Sequence, residues 1–449
     1  MATEVDVVVL GQGPGGEHVS IKLGRAGLDV VAVEERLVGG ECPYYGCVPS
    51  KMMIAASNTL REARRVDELA GSADVHPDWT PVARRIREEA TDDWDDTAAV
   101  KRLEDSGVTF VRGRGHLTGP RQVQVGETTY VARRGVVLNT GTAPAVPPID
   151  GIEDVAYWTN REAVRLTELP GSLAIIGGGA IGCEFAQVFA QFGTRVTIIE
   201  GAGRLLSNEE PEASQHLTKA FHTMGIEVIT GTEVSRVEKR GAGVRLVTSS
   251  GQQVDADRLL VATGRRTNLP DLGLEHVGLD PRSKVLDPDE RMRVADGLWA
   301  VGDITGKGAF THVSIYQGAI VVRDVLDQGG PGADYRAESR VTFTTPEVAA
   351  VGKTEAQAEE AGVNVRVATG DLGARGWLAK EEGLVKIVLD ADREVVVGAT
   401  VVAPAGGEIV SMLVTAVQAE VPLSTLRQMH FAYPTYHRAI QTVLEELAH

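Results

Sequence analysis

The sequence is poor in cysteine, in long apolar runs and in net positive charge. Three cysteines among 449 residues do not make the disulfide framework of a secreted protein, so two cysteines that lie close together are better explained by catalysis. The opening residues MATEVDVVVL lack the basic region, apolar core and cleavage site of a signal peptide. No run of about 18 apolar residues is available to cross a bilayer. We therefore expect a cytoplasmic protein without a membrane partner.

The charge balance excludes a second class of partner. Acidic residues number 62 against 45 basic ones, which gives a formal net charge of −17. Nucleic acids and anionic membranes repel a net anion, so we expect neither as a partner. The length exceeds what one hydrophobic core fills and suggests about three domains. A hydrophobic fraction of 43% is typical of a globular protein.

Glycine, by contrast, is abundant, with 51 residues, and it marks an internal repeat. The run VDVVVL predicts a buried strand, followed by GQGPGG, a helix to about Gly27 and a second strand that ends on Glu34. The pattern returns as LAII, GGGAIG, a helix to about Phe192 and a strand that ends on Glu200. In both copies the first glycine and the acid lie 23 positions apart, close to the spacing of the β-α-β dinucleotide fingerprint.

Each part of this fingerprint has a physical role. The glycines allow a tight turn, a close approach of backbone to a pyrophosphate, and packing of helix on strand. The helix N-terminus favours phosphate charge, and the terminal carboxylate binds a ribose. Two copies therefore predict two dinucleotide sites. The predicted contacts are Gly11, Gly13, Pro14, Gly15, Gly16 and Glu34 in the first site and Gly177, Gly179, Ile181, Gly182 and Glu200 in the second.

Glu200 bears on the choice of nicotinamide cofactor. A carboxylate at this position accepts a hydrogen bond from the 2′-hydroxyl of NADH and repels the 2′-phosphate of NADPH. Arg204, four residues further on, can partly offset that repulsion. We favour NADH, with NADPH as the alternative.

Two cysteines follow the first fingerprint in the segment GGECPYYGCVPSK, at Cys42 and Cys47. Their spacing is unusual for zinc, and no further Cys or His pair completes four ligands, so we predict no metal site. The segment resembles the GGxCxxxGCxPSK signature of the flavoprotein disulfide reductases, the class I pyridine nucleotide-disulfide oxidoreductases that include glutathione reductase, dihydrolipoamide dehydrogenase and mercuric reductase. The similarity spans the whole chain.

The resemblance implies an α/β fold with two Rossmann-like dinucleotide-binding domains, one for FAD and one for NAD(P), and a C-terminal α+β dimerisation domain. It also implies a homodimer. The FAD-binding domain is expected to be discontinuous, at residues 1–146 and 268–336. The NAD(P)H-binding domain is expected at 147–267 and the dimerisation domain at 337–449.

The resemblance also implies residue roles. Cys47 is expected to face the flavin as a charge-transfer thiolate, and Cys42 to exchange with the substrate. Lys51 is expected beside flavin N5, with Glu184 as its partner. Asp303, in a motif after a strand, resembles the aspartate that binds the ribityl chain. The remaining expected cofactor contacts are Gly40, Thr140, Gly141, Gly264 and Gly302.

The C-terminal segment departs from the family pattern. Where the family has His-Pro-Thr-x-x-Glu, this chain has Tyr433 in place of the base and Arg438 in place of its carboxylate, and tyrosine is a poor proton acceptor at neutral pH. His437, taken to lie one helical turn past Tyr433, is one candidate to supply the imidazole. Alternatively, Arg438 or Tyr433 stabilises the Cys42 thiolate. The third interpretation is that thiol–disulfide exchange is not the main reaction.

The residues around Cys42 depart as well. Glu41 stands in place of the usual threonine, and an adjacent carboxylate tends to raise the pKa of a thiol. The aromatic residues Tyr44 and Tyr45 either narrow the pocket, stack on a planar substrate or pack within a helix.

The leading functional hypothesis is an NAD(P)H-dependent FAD enzyme that reduces a small-molecule disulfide through Cys42 and Cys47. The first alternative is an NAD(P)H dehydrogenase for a quinone, a metal ion or another non-thiol acceptor. The second alternative is a non-enzymatic redox-sensing flavoprotein, which Lys51 and Glu184 disfavour because a scaffold has no need of hydride-transfer residues.

Overall fold

The computed structural model describes residues 2–448. The strands in chain order are β1 (Ala2–Leu10), β2 (Val30–Glu34), β3 (Val108–Arg112), β4 (Gly115–Gly119), β5 (Gln122–Val125), β6 (Thr128–Leu138), β7 (Thr142–Pro144), β8 (Tyr157–Trp158), β9 (Ser172–Ile176), β10 (Arg195–Glu200), β11 (Glu227–Thr230), β12 (Val234–Arg240), β13 (Gly243–Thr248), β14 (Gln253–Ala256), β15 (Arg258–Val261), β16 (Arg265–Thr267), β17 (Arg293–Ala295), β18 (Leu298–Ala300), β19 (Ser339–Thr342), β20 (Glu347–Gly352), β21 (Val365–Gly370), β22 (Leu384–Asp390) and β23 (Val395–Ala403).

The α-helices are α1 (Pro14–Arg25), α2 (Glu41–Tyr44), α3 (Cys47–Arg64), α4 (Val66–Leu69), α5 (Thr80–Arg85), α6 (Thr97–Glu104), α7 (Asn160–Ala163), α8 (Ala180–Gln191), α9 (Pro211–Thr223), α10 (Thr311–Val325), α11 (Glu355–Glu360), α12 (Gly373–Ala379), α13 (Gly406–Ile409), α14 (Ser411–Gln418), α15 (Leu423–Arg427) and α16 (Tyr436–Glu446). Short 3₁₀ turns span Ile152–Asp154, Leu274–Val277 and Gly302–Thr305, and a π-helical turn spans Ile86–Ala90.

The chain divides into two compact units. The first contains the segment that ends at Pro49, together with Arg84–Ala145 and Arg265–Asp334. The second contains Ser50–Ala83, Val146–Gly264 and the segment from Tyr335 onwards. The chain thus leaves and re-enters the first unit near the predicted domain edges, but residues 50–83 group with the second unit. The division into three domains stays a prediction.

The first unit is built on an eight-stranded sheet. Its main path runs β17-β18-β6-β1-β2-β3, and β5 and β4 extend it from β6. The pairs from β18 to β3 are parallel. The central strand β1 is buried from Val7 to Leu10, as expected for a β-branched run covered on both faces. Helices α1 and α10 pack against one face with the apolar residues of that side.

The second unit contains a parallel sheet of order β11-β10-β9-β15-β8, a three-stranded antiparallel sheet β12-β13-β14, and an antiparallel sheet of order β19-β20-β23-β22-β21. The central strand of the first of these, β9, is buried at every position. The C-terminal sheet has a core of its own, formed with α14, α15 and α16. Both parallel sheets and the antiparallel C-terminal sheet agree with the expected fold class.

Within the described range, no helix is long and apolar enough to cross a membrane. The cytoplasmic location stays a prediction.

A buried cluster of charges lies on the C-terminal sheet of the second unit. The Lys386 side chain on β22 is 2% exposed, and its ammonium group contacts the carboxylates of Glu210 at 2.9 Å, Glu212 at 3.0 Å and Glu355 at 2.8 Å. Glu210 is itself buried. Burial of a charge is costly unless it is paired, so this cluster depends on the single cation.

Lys386→Met is expected to lower the free energy of unfolding by about 3–5 kcal/mol, because it leaves the buried Glu210 carboxylate without a counter-charge. Urea unfolding followed by tryptophan fluorescence measures this loss. The matched control is Lys219→Met, which breaks an exposed ion pair with Glu382 and is expected to cost less than about 1 kcal/mol. Equal losses in the two variants would contradict the prediction.

Candidate active site

The first fingerprint joins β1 to α1 through a contact that only glycine allows. A Cβ atom on Gly16 would lie 2.0 Å from the carbonyl oxygen of Gly11, so any side chain there would separate the helix from the strand. The carboxylate of Glu34, at the end of β2, accepts a hydrogen bond from the Gln12 backbone N–H at 2.7 Å. Burial raises the pKa of Glu34. The terminal acid therefore lies beside the glycine turn, as predicted for a ribose-binding residue.

The second fingerprint repeats this arrangement between β9 and α8. A Cβ on Gly182 would lie 2.0 Å from the Gly177 carbonyl oxygen. The Glu200 carboxylate accepts hydrogen bonds from the backbone N–H groups of Gly178 and Ala202. Gly179 stands at the N-cap of α8 and Ile181 lies in its first turn, so the helix N-terminus has no side-chain cap and is available to phosphate.

The remaining predicted flavin contacts, except Gly264, lie in the first unit. Pro14 is the first residue of α1, and a Cβ on Gly40 would lie 3.0 Å from Gly13 Cα. The Thr140 hydroxyl is buried and has no hydrogen-bond partner among residues 2–448. A buried polar atom in this state fits a ligand that supplies the missing hydrogen bond. Gly15 lies in the first turn of α1. Gly141, Gly264 and Gly302 have positive φ angles.

Asp303 follows β18 in the 3₁₀ turn Gly302–Thr305. Its carboxylate accepts a hydrogen bond from the Thr142 hydroxyl at 2.6 Å. The Arg265 guanidinium donates to the same hydroxyl oxygen at 2.6 Å and lies 3.5 Å from the Glu41 carboxylate. The first unit thus fits a bound flavin nucleotide through its glycine turn, its ribose acid and this aspartate.

The two cysteines lie at a break between helices. Cys42 is in α2, and Cys47 begins α3 after the turn at Tyr45 and Gly46. Both are present as thiols, and their side chains share a hydrogen bond. Cys47 Sγ also lies 3.6 Å from the hydroxyl oxygen of Thr311, the first residue of α10. The N-terminus of a 15-residue helix therefore faces the pair, which favours a thiolate there.

The surroundings of the Cys42 thiol favour its protonated form. Its hydrogen bond with Cys47 and its burial raise its pKa above the ordinary value, and the Thr311 hydroxyl offsets only part of the shift. From the sequence, Glu41 was expected to raise this pKa. In the structure the main causes are instead the hydrogen bond with Cys47 and burial. The Glu41 carboxylate faces the Arg265 guanidinium, which compensates its charge.

Lys51 and Glu184 meet in the second unit. The Lys51 ammonium group donates to the Glu184 carboxylate at 2.8 Å, and it lies 4.6 Å from the centre of the Phe343 ring. The other oxygen of Glu184 accepts from the Phe343 backbone N–H at 2.9 Å. Glu184 is almost fully buried, whereas Lys51 is about one-third exposed. The carboxylate therefore fixes the direction of a lysine that remains accessible.

Tyr44, two residues after Cys42, is packed in the core and also lines the pocket beside Cys42. Tyr44 is 6% exposed, its carbonyl accepts from the Trp94 indole at 3.0 Å, and its ring lines a cavity beside Cys42. Burial raises the pKa of Tyr44 to about 12, so the phenol stays protonated. The Cys183 thiol, in α8, is buried and donates to the Gly178 carbonyl at 3.3 Å, as expected of a packing residue.

The C-terminal segment differs from the expectation. Tyr433 precedes α16, which begins at Tyr436 with Thr435 as its N-cap. His437 is therefore not one helical turn past Tyr433, and the shifted-imidazole interpretation was built on wrong local geometry. A residue before proline is disfavoured in the α conformation, and Pro434 accordingly keeps Tyr433 outside the helix. The Tyr433 side chain is 73% exposed, and Arg438 donates to Gln441.

The Arg204 side chain is bonded to the backbone of its own loop. Its guanidinium donates to the carbonyl oxygens of Ser207 at 2.8 Å and Glu209 at 3.0 Å. The Glu209 carboxylate in turn pairs with Arg340 on β19, at 2.7 Å and 3.0 Å. The loop after Glu200 is thus tied to the C-terminal sheet of the same unit, with the arginine turned onto its backbone.

Comparison with protein-family models decides the family. The pyridine nucleotide-disulphide oxidoreductase model matches residues 5–318, and the dimerisation domain of the same family matches residues 339–444. The chain belongs to the pyridine nucleotide-disulphide oxidoreductase family.

Curated members of this family match nearly the whole chain. A dihydrolipoyl dehydrogenase from Chlamydia muridarum is 32% identical over 96% of this chain and 94% of its own length. A mercuric reductase from Streptomyces lividans is 34% identical over 98% of this chain and 95% of its own length. Similarity at this level to two activities with different acceptors leaves the acceptor of this family member open.

Solved structures extend the likeness. The flavoprotein disulfide reductase RclA from Escherichia coli, induced by HOCl, superposes with a TM-score of 0.86 at 27% identity, covering 98% of this chain and 99% of RclA. Its Cu(II) complex matches equally well. LpdA from Mycobacterium tuberculosis gives a TM-score of 0.87 at 26% identity, covering 99% of this chain and all of LpdA.

Several predictions about this oxidoreductase are thereby confirmed. It is a flavoprotein enzyme of the class I disulfide oxidoreductases, a family that uses FAD and NAD(P)H. Its dimerisation domain implies a homodimer. The alternative of a non-enzymatic flavoprotein has no support, because the matched family is one of enzymes.

Three residues without a role predicted from the sequence contact predicted site residues or line their cavity, two of them in the first unit and one in the second. Thr311 contacts the cysteine pair, Phe343 supports Lys51 and Glu184, and His18 lines the cavity that contains Cys42. A signal existed for His18 alone. It lies four residues after Pro14 in a predicted helix, and residues at this spacing share one helix face.

The glycine contacts generate a test of the two nucleotide sites. Gly16→Ala is expected to release most of the FAD. Gly182→Ala is expected to retain FAD but to weaken nicotinamide-nucleotide binding at least about tenfold. In each variant the added Cβ pushes the helix away from its strand. The ratio of protein to flavin absorbance and calorimetric titration with NAD⁺ measure these effects. Gly203→Ala is the control, because its Cβ meets no atom within 4 Å. Full flavin occupancy in Gly16→Ala would disprove the assignment.

Proposed function

We propose that this enzyme is a homodimeric NADH-dependent flavoprotein that reduces a small-molecule disulfide through Cys42 and Cys47. The observation that carries the proposal is the hydrogen-bonded thiol pair at the N-terminus of α10, with Cys47 bonded to Thr311 and Cys42 on the wall of a cavity. A pair in this position has one member that can hold a thiolate and another that an acceptor can reach. When bound, FAD supplies the two-electron relay between the nicotinamide and the cysteine pair.

The chain's own residues divide the work into entry and exit of electrons. On the entry side, Glu184 fixes Lys51 and thereby places one cation at a defined position. On the exit side, Cys42 attacks the acceptor disulfide once it has lost its proton, because the thiolate is the nucleophile. Cys47 then displaces the product thiol from Cys42 and restores the disulfide of the pair.

The preference for NADH rests on the loop after β10. The Glu200 carboxylate is in position for a ribose 2′-hydroxyl and opposes a 2′-phosphate. Arg204, which is the nearby cation that can offset this repulsion, is bonded to the carbonyl oxygens of Ser207 and Glu209. The acid therefore decides the preference.

A second candidate acceptor is a metal ion or another non-thiol oxidant. It is supported by similarity to a mercuric reductase and to RclA, of which a Cu(II) complex is known. Tyr433 stands where the family has its base, and this also favours a non-thiol acceptor. Reduction of such an acceptor does not require a base at this position to deprotonate an attacking thiol. This candidate and the disulfide candidate differ in their need for Cys42.

Cys42→Ser is expected to lower turnover of a disulfide substrate by at least about 1000-fold while NADH still reduces the flavin, because the nucleophile alone is lost. Anaerobic NADH reduction of the wild type is expected to produce the long-wavelength band of a thiolate beside oxidised flavin, and a pair of new titratable thiols. Cys183→Ser, at a buried packing position, is the control. Unchanged disulfide turnover in Cys42→Ser would refute the disulfide function; unchanged Cu(II) turnover would favour the second candidate.

The nucleotide preference is testable without turnover. Calorimetry is expected to show 5′-AMP binding at least about tenfold more tightly than 2′,5′-ADP, since the two ligands differ only in the phosphate that Glu200 opposes. Glu200→Gln should reduce this ratio by removing the repulsion. Glu238→Gln, on the exposed strand β12, is the control and should leave the ratio unchanged. Tighter binding of 2′,5′-ADP by the wild type would reverse the assignment to NADPH.

A further inference from the structure

The cavity beside Cys42 lies wholly within the first unit and has a volume of about 510 Å³. Its walls come from α1, from α2 with the residues just before it, from residues 90–102 and from the start of α10. Cys42 contributes to one wall and Thr311 to another. A cavity of this size accommodates a small molecule, and the thiol that exchanges with the acceptor is within it.

Helix α1 presents His18 to this cavity. Pro14, His18 and Ile21 share one face of the helix, and all three line the cavity. Behind the ring, α10 packs closely enough that a Cβ on Gly318 would lie 3.5 Å from His18 Cδ2. The imidazole is therefore half-buried in a fixed place, on the same cavity as the Cys42 thiol.

The chemistry at Cys42 requires a proton acceptor. Cys42 has a raised pKa, Tyr433 is a poor proton acceptor, and His437 does not lie one helical turn past Tyr433. Tyr44 is protonated at neutral pH, and Arg102 is bonded to Glu17 at 2.7 Å. Burial, with a smaller effect from Lys22, lowers the pKa of His18, so its imidazole is neutral at pH 7 and able to accept a proton.

We propose that His18 is the acid–base residue of the acceptor cavity, and that the cavity takes uncharged or cationic disulfides. This inference rests on the proposed disulfide function and adds to it the base and the charge class of the substrate.

The charge class follows from the polar residues of the cavity. Three carboxylates line it, Glu17, Asp92 and Asp95, against the single guanidinium of Arg102. Arg102 is already paired with Glu17, so the remaining charge is negative. The other walls are mostly apolar, with Ile21 and Ile315 among them. An anionic disulfide is repelled by this lining, whereas a neutral or cationic one is not.

The reaction balances in two exchanges. His18 takes the proton of Cys42, and the Cys42 sulfur attacks one sulfur of the substrate disulfide. A mixed disulfide forms, the substrate S–S bond breaks, and the leaving thiolate takes the proton from His18. Cys47 then attacks the Cys42 sulfur, which releases the second substrate thiolate and oxidises the cysteine pair to its disulfide. One substrate disulfide is reduced to a thiol and a thiolate, and the thiolate takes a proton from solvent.

The sign of the pH dependence follows from the lowered pKa of His18. The neutral imidazole is fully present above that pKa, and the assisted reaction is lost as pH falls through it. The charged and titratable groups around the ring are Glu17 and Lys22 on α1, Cys42 and Tyr44 on α2, Asp92 and Asp95 before α6, and Arg102 on α6.

The first test needs no knowledge of the acceptor. In the NADH-reduced holoenzyme, the rate of Cys42 alkylation by iodoacetamide is measured by peptide mass spectrometry between pH 5 and 9. For the wild type we expect an inflection below about pH 6.5. His18→Asn should remove the inflection and slow alkylation at pH 7 about 100-fold, with flavin content and NADH reduction of the flavin unchanged. The matched control is His216→Asn, at a half-buried histidine whose pKa burial also lowers.

The alternatives give distinct results. Wild-type alkylation in His18→Asn, or a comparable loss in His437→Asn, would overturn the assignment of the base. If His18→Asn fails to retain FAD, the pH profile of Cys42 alkylation in the wild type tests the assignment. A wild-type profile without the low-pH inflection would also overturn the assignment of His18 as the base. A failure of the disulfide function itself has another signature, namely unchanged acceptor turnover in Cys42→Ser.

The second test addresses the charge class with two disulfide reagents. Neutral 4,4′-dithiodipyridine is expected to exceed dianionic 5,5′-dithiobis(2-nitrobenzoate) in kcat/KM by at least about tenfold, after each is normalised to its rate with a free thiol. High salt should reduce this ratio. Asp92→Asn should reduce it too, and asparagine tolerates the positive φ of 47° at this position. Equal normalised rates for the two reagents would refute the charge assignment.

Discussion

The architecture depends on one backbone contact that occurs twice. In each fingerprint the helix approaches its strand so closely that a Cβ on Gly16 or Gly182 would lie 2.0 Å from the carbonyl of the first glycine. This contact brings the N–H groups of the helix N-terminus and the acid of the second strand to one edge of the sheet. The predicted phosphate sites, the predicted ribose acids Glu34 and Glu200, and the segment that carries the cysteines all follow from that edge.

The two sides of the proposed electron transfer use different interactions. The entry side uses a nearly buried carboxylate, Glu184, to hold one lysine by an ion pair and a backbone N–H to hold the carboxylate. The exit side has a thiol with a raised pKa, a helix N-terminus that favours a thiolate at Cys47, and an acidic cavity. In the proposed mechanism, the charge is therefore positive where electrons enter and negative where the acceptor docks.

Sequence reasoning succeeded wherever spacing is fixed by local geometry. The strands and the glycine turns of the two fingerprints lie close to where the patterns predict them. It failed at Tyr433 and His437, where the family pattern was extended as a continuous helix although Pro434 disfavours helical geometry in the residue before it. It also expected Glu41 to raise the pKa of Cys42, and it did not foresee that Arg265, more than two hundred positions away along the chain, faces the Glu41 carboxylate.

The sequence by itself determined the family, the two glycine fingerprints and the cysteine pair, because these are read from short runs with characteristic spacing. Only the tertiary structure decided how the acceptor side is arranged. It turned Arg204 onto its own loop, paired Glu41 with Arg265 and put His18 on the same cavity as Cys42. Charge compensation and shared cavities arise between elements distant along the chain, and no local pattern of residues records them.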